Sequence, residues 1–337
     1  MKRLLFFVSS CLLVVSAMAQ TLVTTPVVGF LTLNLSQGTN FMGFALQPSM
    51  DLQGLINIDT VRTRVFLQGS PQVSLTDDQF NPGYIVEIVS EGAGLGFTSV
   101  IVDTVSTGNE IVLSQPVPEG VADGATVKIW KLWTLAEVFG ADNSAGLTAS
   151  TTPADSDLIQ VPNGSGFDEY FYSTGGAQGT GWRQVGQGTT DQASTPLKFG
   201  GGFAIFARSA KSVVLVGQVK PGKTVVDLQT GNNFVANLCP VNAGGDTPSS
   251  EGRTLANSGL QAGLTGGVTS NQADLVMLWN GQGYSQYYYS TGGLVGAGWR
   301  RVGGGATDQA SVALPDGAYI IHRRGAPVSF QLNQGNF

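Results

Sequence analysis

Cysteine, histidine and charge are scarce in this 337-residue chain, and each scarcity closes off chemistry. Of the two cysteines, Cys11 lies in an N-terminal stretch that reads as a cleaved signal, so the mature chain keeps only Cys239. One thiol forms neither an intrachain disulfide nor a thiolate metal cluster. In the apolar context NLCPV, Cys239 reads as a small buried hydrophobe. The single histidine, His322, sits where the first half of the chain has Phe206 or its neighbour. Alone it cannot build a histidine metal cluster or a Cys/His dyad, and its place in AYIIHRR favours a pairing or surface role over a catalytic triad. Charged residues make up 12% of the chain, about half the roughly 25% of an average domain. The acids are scattered and no basic cluster could neutralise phosphates, so no nucleic-acid partner is expected. After the N-terminal run no stretch approaches the roughly 20 apolar residues of a membrane helix, so no transmembrane span is expected. The inventory points to no cofactor and no metal.

Glycine, by contrast, is abundant, with 47 residues, about twice the usual share of roughly 7%. Low charge, many small polar residues and 9% aromatics together suggest an extracellular β-protein. The opening MKRLLFFVSSCLLVVSAMAQ has a basic start at Lys2 and Arg3, an apolar run over Leu4–Val15, and Ala17-Met18-Ala19 before Gln20. This is the pattern of a cleaved secretory signal. A lipoprotein box at Val8–Cys11 fits worse, because too few apolar residues precede the cysteine. The expected location is therefore periplasmic, cell-surface or extracellular. Loss of Lys2 and Arg3 takes the formal net charge from −6 to −8. The terminal Phe337 raises the possibility of an outer-membrane barrel. The alternate positions Gly335, Asn333, Gln331 and Ser329 lack the lipid-facing apolar row such a strand carries.

The chain also repeats itself. Asn163–Ser194 returns as Asn280–Ser311 with 21 of 32 positions identical and no gap. Upstream, Ala145–Leu158 matches Ala262–Leu275 at the same offset, and TLAEVFG (Thr134–Gly140) matches TLANSG (Thr254–Gly259). With Thr134 as N-cap and Gly140 as stop, each of the last two reads as one or two helical turns. A second element occurs as LSQGTNF from Leu35, LQTGNNF from Leu228 and LNQGNF from Leu332, each a Gly-centred turn followed by Asn-Phe.

Strands are expected at Leu158–Val161, Phe167–Tyr172, Gly181–Val185, Phe203–Ala207 and Val213–Val219, with counterparts at Gly298–Val302, Ala318–His322 and Val328–Leu332. Asn163-Gly164 and Asn280-Gly281 mark hairpin loops. Residues 50–133 occur once and read as a small inserted barrel of five strands: Val61–Leu67, Tyr84–Val89, Phe97–Thr104, Glu110–Leu113 and Thr126–Leu132. A hairpin extension of the same sheet is the alternative. The fold expected is mostly β: two tandem related antiparallel β units, sandwich or barrel-like, with a small inserted β-barrel-like module and one or two very short helices. The units are assigned as 20–49 with 134–213, and 214–337, around the module at 50–133 and after a signal at 1–19.

The order of signal peptide, TPVVGF, a β-module ending KLWTLAEVFG, then YFYSTGG, GWRQVG and ARSAKS resembles a family of secreted bacterial proteins without assigned activity. They are found mainly in Verrucomicrobia and allied groups, often as several paralogues per genome. The resemblance covers essentially the whole mature chain. It implies export and a β-rich fold and carries over no catalytic residue.

Candidate chemistry is thin. Asp77-Asp78 and Asp168-Glu169 are the carboxylate pairs a glycoside hydrolase would need, but neighbours on a strand point to opposite faces. Asp155 and Asp157, with Asp142 and Asn143 upstream, resemble part of a calcium loop without its full alternation, and turn capping by Asp157 and Asp274 is the favoured role. Gly175-Gly176 and Gly292-Gly293 are expected at positive φ. Trp182 and Trp299 are expected in the core, and Arg183 and Arg300 stacked on an aromatic or paired with Asp191 and Asp308. The copies differ at Trp279, Tyr284 and Tyr288, where the first has Pro162, Phe167 and Phe171. Facing solvent, these three would form an aromatic platform for a glycan or protein; otherwise they pack on the neighbouring unit. The function expected is that of a non-enzymatic envelope or extracellular structural, adhesive or assembly protein, with self-association or a surface glycan or protein as partner. A carbohydrate-binding protein and a carbohydrate-active hydrolase are the rivals.

Overall fold

The computed structural model describes residues 27–68, 74–220, 223–238 and 254–332. The proposed signal, Cys239 and LNQGNF beyond Leu332 lie outside them. The described chain is mostly β, with two very short helices and a closed barrel.

Alternation builds the first strand. In β1 (Val28–Leu35) Leu31, Leu33 and Leu35 are buried while Phe30, Thr32 and Asn34 face out, the period-2 pattern of a one-sided strand. A corner leads to β2 (Gly38–Met42), and Asn40 holds it: its side chain accepts the Ser36 N–H and donates to the Ser36 and Gly38 carbonyls. After β3 (Leu46–Gln47) come the inserted strands β4 (Met50–Ile58), β5 (Arg64–Gln68), β6 (Tyr84–Ile88), β7 (Thr98–Val105), β8 (Glu110–Leu113) and β9 (Ala125–Lys131). The chain re-enters the first unit through β10 (Trp133–Thr134) and α1 (Leu135–Phe139). It continues with β11 (Leu158–Pro162), β12 (Phe167–Thr174), β13 (Thr180–Gln184), β14 (Pro196–Leu197), β15 (Phe203–Ala207) and β16 (Lys211–Val219). The second unit comprises β17 (Thr224–Leu228), β18 (Gly231–Ala236), α2 (Leu260–Gly263), β19 (Leu275–Trp279), β20 (Tyr284–Thr291), β21 (Ala297–Arg301), β22 (Ala318–Arg323) and β23 (Val328–Leu332).

The two units share one topology. Their five-stranded antiparallel sheets run β13-β12-β11-β15-β2 and β21-β20-β19-β22-β18, and β1–β16 corresponds to β17–β23. In the first unit the ribbon β2–β15 turns its corner into β1–β16. A core of Leu31, Leu33, Ile159, Tyr170, Trp182, Ile205, Val213 and Leu215 lies among these elements. Asn233 repeats the corner bonds of Asn40, to Gln229 and Gly231, which explains why Asn-Phe recurs. Leu332, by contrast, ends β23, which pairs with β17. It therefore occupies a strand of the other kind from Leu35 and Leu228, and the resemblance of LNQGNF is not one of position. The division placed at 213/214 falls inside β16, which pairs with β1 over its first eight residues.

Two further expectations change. The module is a closed barrel of six strands, in the order β4-β5-β8-β7-β6-β9, not five. The additional strand is β4, in which Gly54 on the inner face and the exposed Leu55 on the outer interrupt the apolar alternation and leave Ile56 as its fully buried side chain. Second, α1 carries the expected capping box between Thr134 and Glu137 and stops at Gly140 with φ 88°, but Thr254–Gly259 forms turns and α2 begins only at Leu260. Asn257 replaces Glu137 in the reciprocal contact with Thr254, and the longer stretch that follows α1 is shortened here.

The three modules are locked together. Phe41 and Phe234, equivalent by their Asn corners, meet at 5.8 Å between ring centroids. Phe41 also meets Tyr284 at 5.9 Å, and Phe234 meets Phe167 at 5.2 Å. Phe167 and Tyr284 are themselves equivalent, so the two contacts mirror each other. Gly202 and Ala318, also equivalent by register, lie so close that a Cβ on Gly202 would fall 2.6 Å from that of Ala318. Like meeting like is the signature of a two-fold axis, here within one chain. The barrel docks through Ile85, Trp130 and Leu132 into the core that holds Val226, Leu228, Leu260 and Trp299. Beside them Glu87 of β6 is buried against Lys220, at 2.6 Å, and accepts the Trp130 indole N–H at 2.6 Å.

Candidate functional site

The residues identical in both copies are occupied in holding backbone. Arg183 donates to the carbonyls of Gln178, Trp182 and Thr180, and pairs with Asp191 at 3.3 Å. Arg300 repeats this with Val295, Trp299, Ala297 and Asp308. Both guanidiniums thus brace the tight loop after the tyrosine strand, where Gly175, Gly176, Gly292 and Gly293 all have positive φ, as expected. Ser173 and Ser290 close the same loop through Gly175 and Gly292. Trp182 and Trp299 are buried in the two unit cores.

Asp157 and Asp274 are buried and each fastens two chain segments. Asp157 accepts the N–H groups of Thr148 and Arg208, and Asp274 those of Thr265 and Arg324. Their counter-ions differ in origin: Lys211 reaches Asp157 at 2.5 Å, whereas Arg323 reaches Asp274 at 2.8 Å. Strand register makes Val328 the counterpart of Lys211 and Ala207 that of Arg323, so the cation has moved from one strand to the one that precedes it in the chain. Both carboxylates are consumed structurally. Asp155 accepts from Thr152, and Asp142 caps Ser144. No cluster suited to a metal occurs among the described residues.

The hydrolase candidates do not converge either. Asp77 sits in a turn of the barrel, where the Ser106 N–H holds its carboxyl below the ordinary range. Asp168 accepts from Asn163, and Glu169 from Gln160. His322 bonds Asn232 through Nδ1 at 2.8 Å.

Of the three platform residues, Trp279 and Tyr284 come together and Tyr288 does not join them. Trp279 and Tyr284 are cross-strand partners with rings 5.2 Å apart at 63°, and Phe41 of the first unit packs on both. Tyr288 is buried with Ala273, Leu275 and Met277. A coplanar exposed platform is thus replaced by an inter-unit seam, with only Tyr284 substantially open. Burial pushes the Tyr284 phenol above its usual pKa.

That seam opens into a cleft of about 860 Å³ where the barrel and both units meet. Phe167, Phe234 and Tyr284, with the buried Phe199 and Phe203, supply its aromatic surface; Thr98, Ser99, Ser114 and Gln115 line it from the barrel, Gln229 and Thr230 from the β17–β18 turn, and Asn232 from β18. Among the described lining residues, Asp227 and Lys198 alone carry charge. The sequence flagged Tyr284 because the copies differ there, but not Phe167 or Phe234. Those two matter only once the fold sets them beside each other.

Comparison with known proteins found no family model, no curated protein and no solved structure matching the chain.

Proposed function

We propose that this chain is an exported, non-enzymatic protein of the cell envelope or extracellular space that acts structurally, by assembling with further copies of itself. The observation that carries this reading is the outer face and free edge of the β1–β16 ribbon. Val28, Phe30, Val214 and Val216 are each 60–66% exposed and lie side by side by register. Such a contiguous apolar patch marks an interaction surface. Among the described residues β1 has no strand on its outer side, and VGFLTLNL carries none of the charges or prolines that protect edges from pairing. In the second unit the equivalent edge faces the barrel instead, and Val225 of β17 donates to the Gly96 carbonyl there. Two β1 edges running antiparallel about a two-fold axis would be self-complementary. The resemblance to a family of secreted bacterial proteins and the signal-like N-terminus support this setting.

Sedimentation over a concentration series tests it. Association is expected for the mature chain and its loss in Phe30→Lys/Val216→Lys, whose melting temperature should stay close to the parent's. A parent chain that stays monomeric at every concentration would refute assembly. Cell fractionation tests the address: an envelope or medium fraction starting at Gln20 is expected, and an intact Met1 N-terminus in cytosol would sink it.

A further inference from the structure

We infer that the cleft between the barrel and the two units binds a neutral oligosaccharide. This is independent of assembly through β1, since no residue of β1 or β16 lines the cleft. The volume, about 860 Å³, falls in the upper part of the roughly 300–1,000 Å³ range of small-molecule sites. Its chemistry narrows the ligand class. The rings of Phe167 and Tyr284 stay 40% and 38% exposed although both lean on the seam. Held from behind by Phe234 and Phe41, they are rigid apolar plates at pseudo-equivalent positions on either side of the two-fold axis. Flat rings of this kind stack on the C–H faces of pyranoses. Around them the walls offer amides and hydroxyls, groups that both donate and accept and so match sugar hydroxyls.

Charge argues the same way. A phosphorylated or strongly acidic ligand would need several cations, and Lys198 is the only one in the described lining. A cationic ligand would need carboxylates, and Asp227 is alone there and already accepts from Ser329. An apolar ligand would leave the wall amides without partners on desolvation. Each wall comes from a different module, which accounts for a barrel that is clamped in place through the Glu87–Lys220 pair rather than tethered loosely.

Calorimetric titration of the mature chain with soluble neutral hexasaccharides of the β-glucan, xylan, mannan, α-glucan and chitin types tests the inference, with oligogalacturonate as charged control and a neutral decapeptide as peptide control. Saturable binding of at least one neutral sugar is expected. Tyr284→Ala and Phe167→Ala should each weaken it about two- to tenfold, the range set by loss of one aromatic contact. Gln115→Ala, on the exposed barrel wall, should weaken it with no change in melting temperature, which separates ligand contact from folding. Absence of binding by every neutral sugar at ~10 mM, a concentration that reveals even millimolar affinity, would overturn the inference. So would binding confined to the charged or peptide control, or binding indifferent to all three substitutions. Failure here leaves the sedimentation result untouched, and the reverse holds too.

Discussion

At the scale of single residues, duplication provides an internal control, because the same side chain can be compared in two settings. Trp182 and Trp299 fill equivalent places, yet only Trp182 finds an indole partner, the Gly140 carbonyl at 2.9 Å. The Trp299 N–H has none among the described residues, since the chain that supplies Gly140 is shortened in the second unit. Both anchor a core, whereas Trp279 is half-buried at the seam. Replacing Trp182 or Trp299 by Ala should therefore cost about 3–5 kcal/mol, and Trp279→Ala clearly less. Chemical denaturation of the three variants checks this; equal losses would erase the distinction between core and seam. The core role of the shared tryptophans was legible from their retention in two contexts. The fate of Tyr288 was not, because alternation places Tyr284 and Tyr288 on one face without saying what covers each end of it.

Among the elements, the displaced counter-ion is the most informative difference. Asp274 is buried against Arg323 of β22, while Asp157 is served by Lys211 of β16. Breaking a buried pair by removing one partner strands the other charge, at about 3–5 kcal/mol. Arg323→Ala should show that loss in urea denaturation. Adding Val328→Lys, which recreates the first unit's arrangement at the register-equivalent site, should recover part of it. No recovery would mean that the two units differ more around this carboxylate than their strand pairing indicates. The sequence revealed Asp157 and Asp274 as matched turn-fixing residues, but not their cations, since these lie about 50 residues away along the chain and at different positions in the two copies. The same limit hid β4. Gly54 and the outward Leu55 blur its alternation, and only pairing with β5 and β9 on its two sides makes it a barrel strand.

At the scale of the whole molecule, the barrel is held by a desolvated ion pair as well as by apolar packing. Lys220 lies at the junction between the two units and bonds the Lys223 carbonyl as well as Glu87. Lys220→Met should destabilise the protein by about 3–5 kcal/mol by leaving Glu87 uncompensated, while Glu87→Gln/Lys220→Met should be close to neutral. Calorimetric melting of the single and double variants checks this. If the double variant is as unstable as the single, the pair contributes through its specific bonds to Trp130 and Lys223 rather than through charge compensation. The pseudo-two-fold seam has no counterpart in any local pattern, although it explains why the copies diverge at Trp279 and Tyr284. Residues facing their own equivalents, or the flank of the axis, are free to differ as long as the rings still meet.

What the sequence by itself determined is what short-range chemistry controls: the strands of the two units by their period of two, the Asn-Gly hairpins, the positive-φ glycine pairs and the capping box at Thr134. These depend on residues a few positions apart, and identical segments therefore folded alike. Only the tertiary structure decided what depends on distant neighbours. It decided between platform and packing for Trp279, Tyr284 and Tyr288, setting the first two in a seam on Phe41 and burying the third apart from them, and it supplied the buried carboxylates with different cations, closed the module with a sixth strand and opened a cleft among three modules. Burial and charge pairing are set by whichever surfaces meet, and no repeat of local pattern states which surfaces those will be.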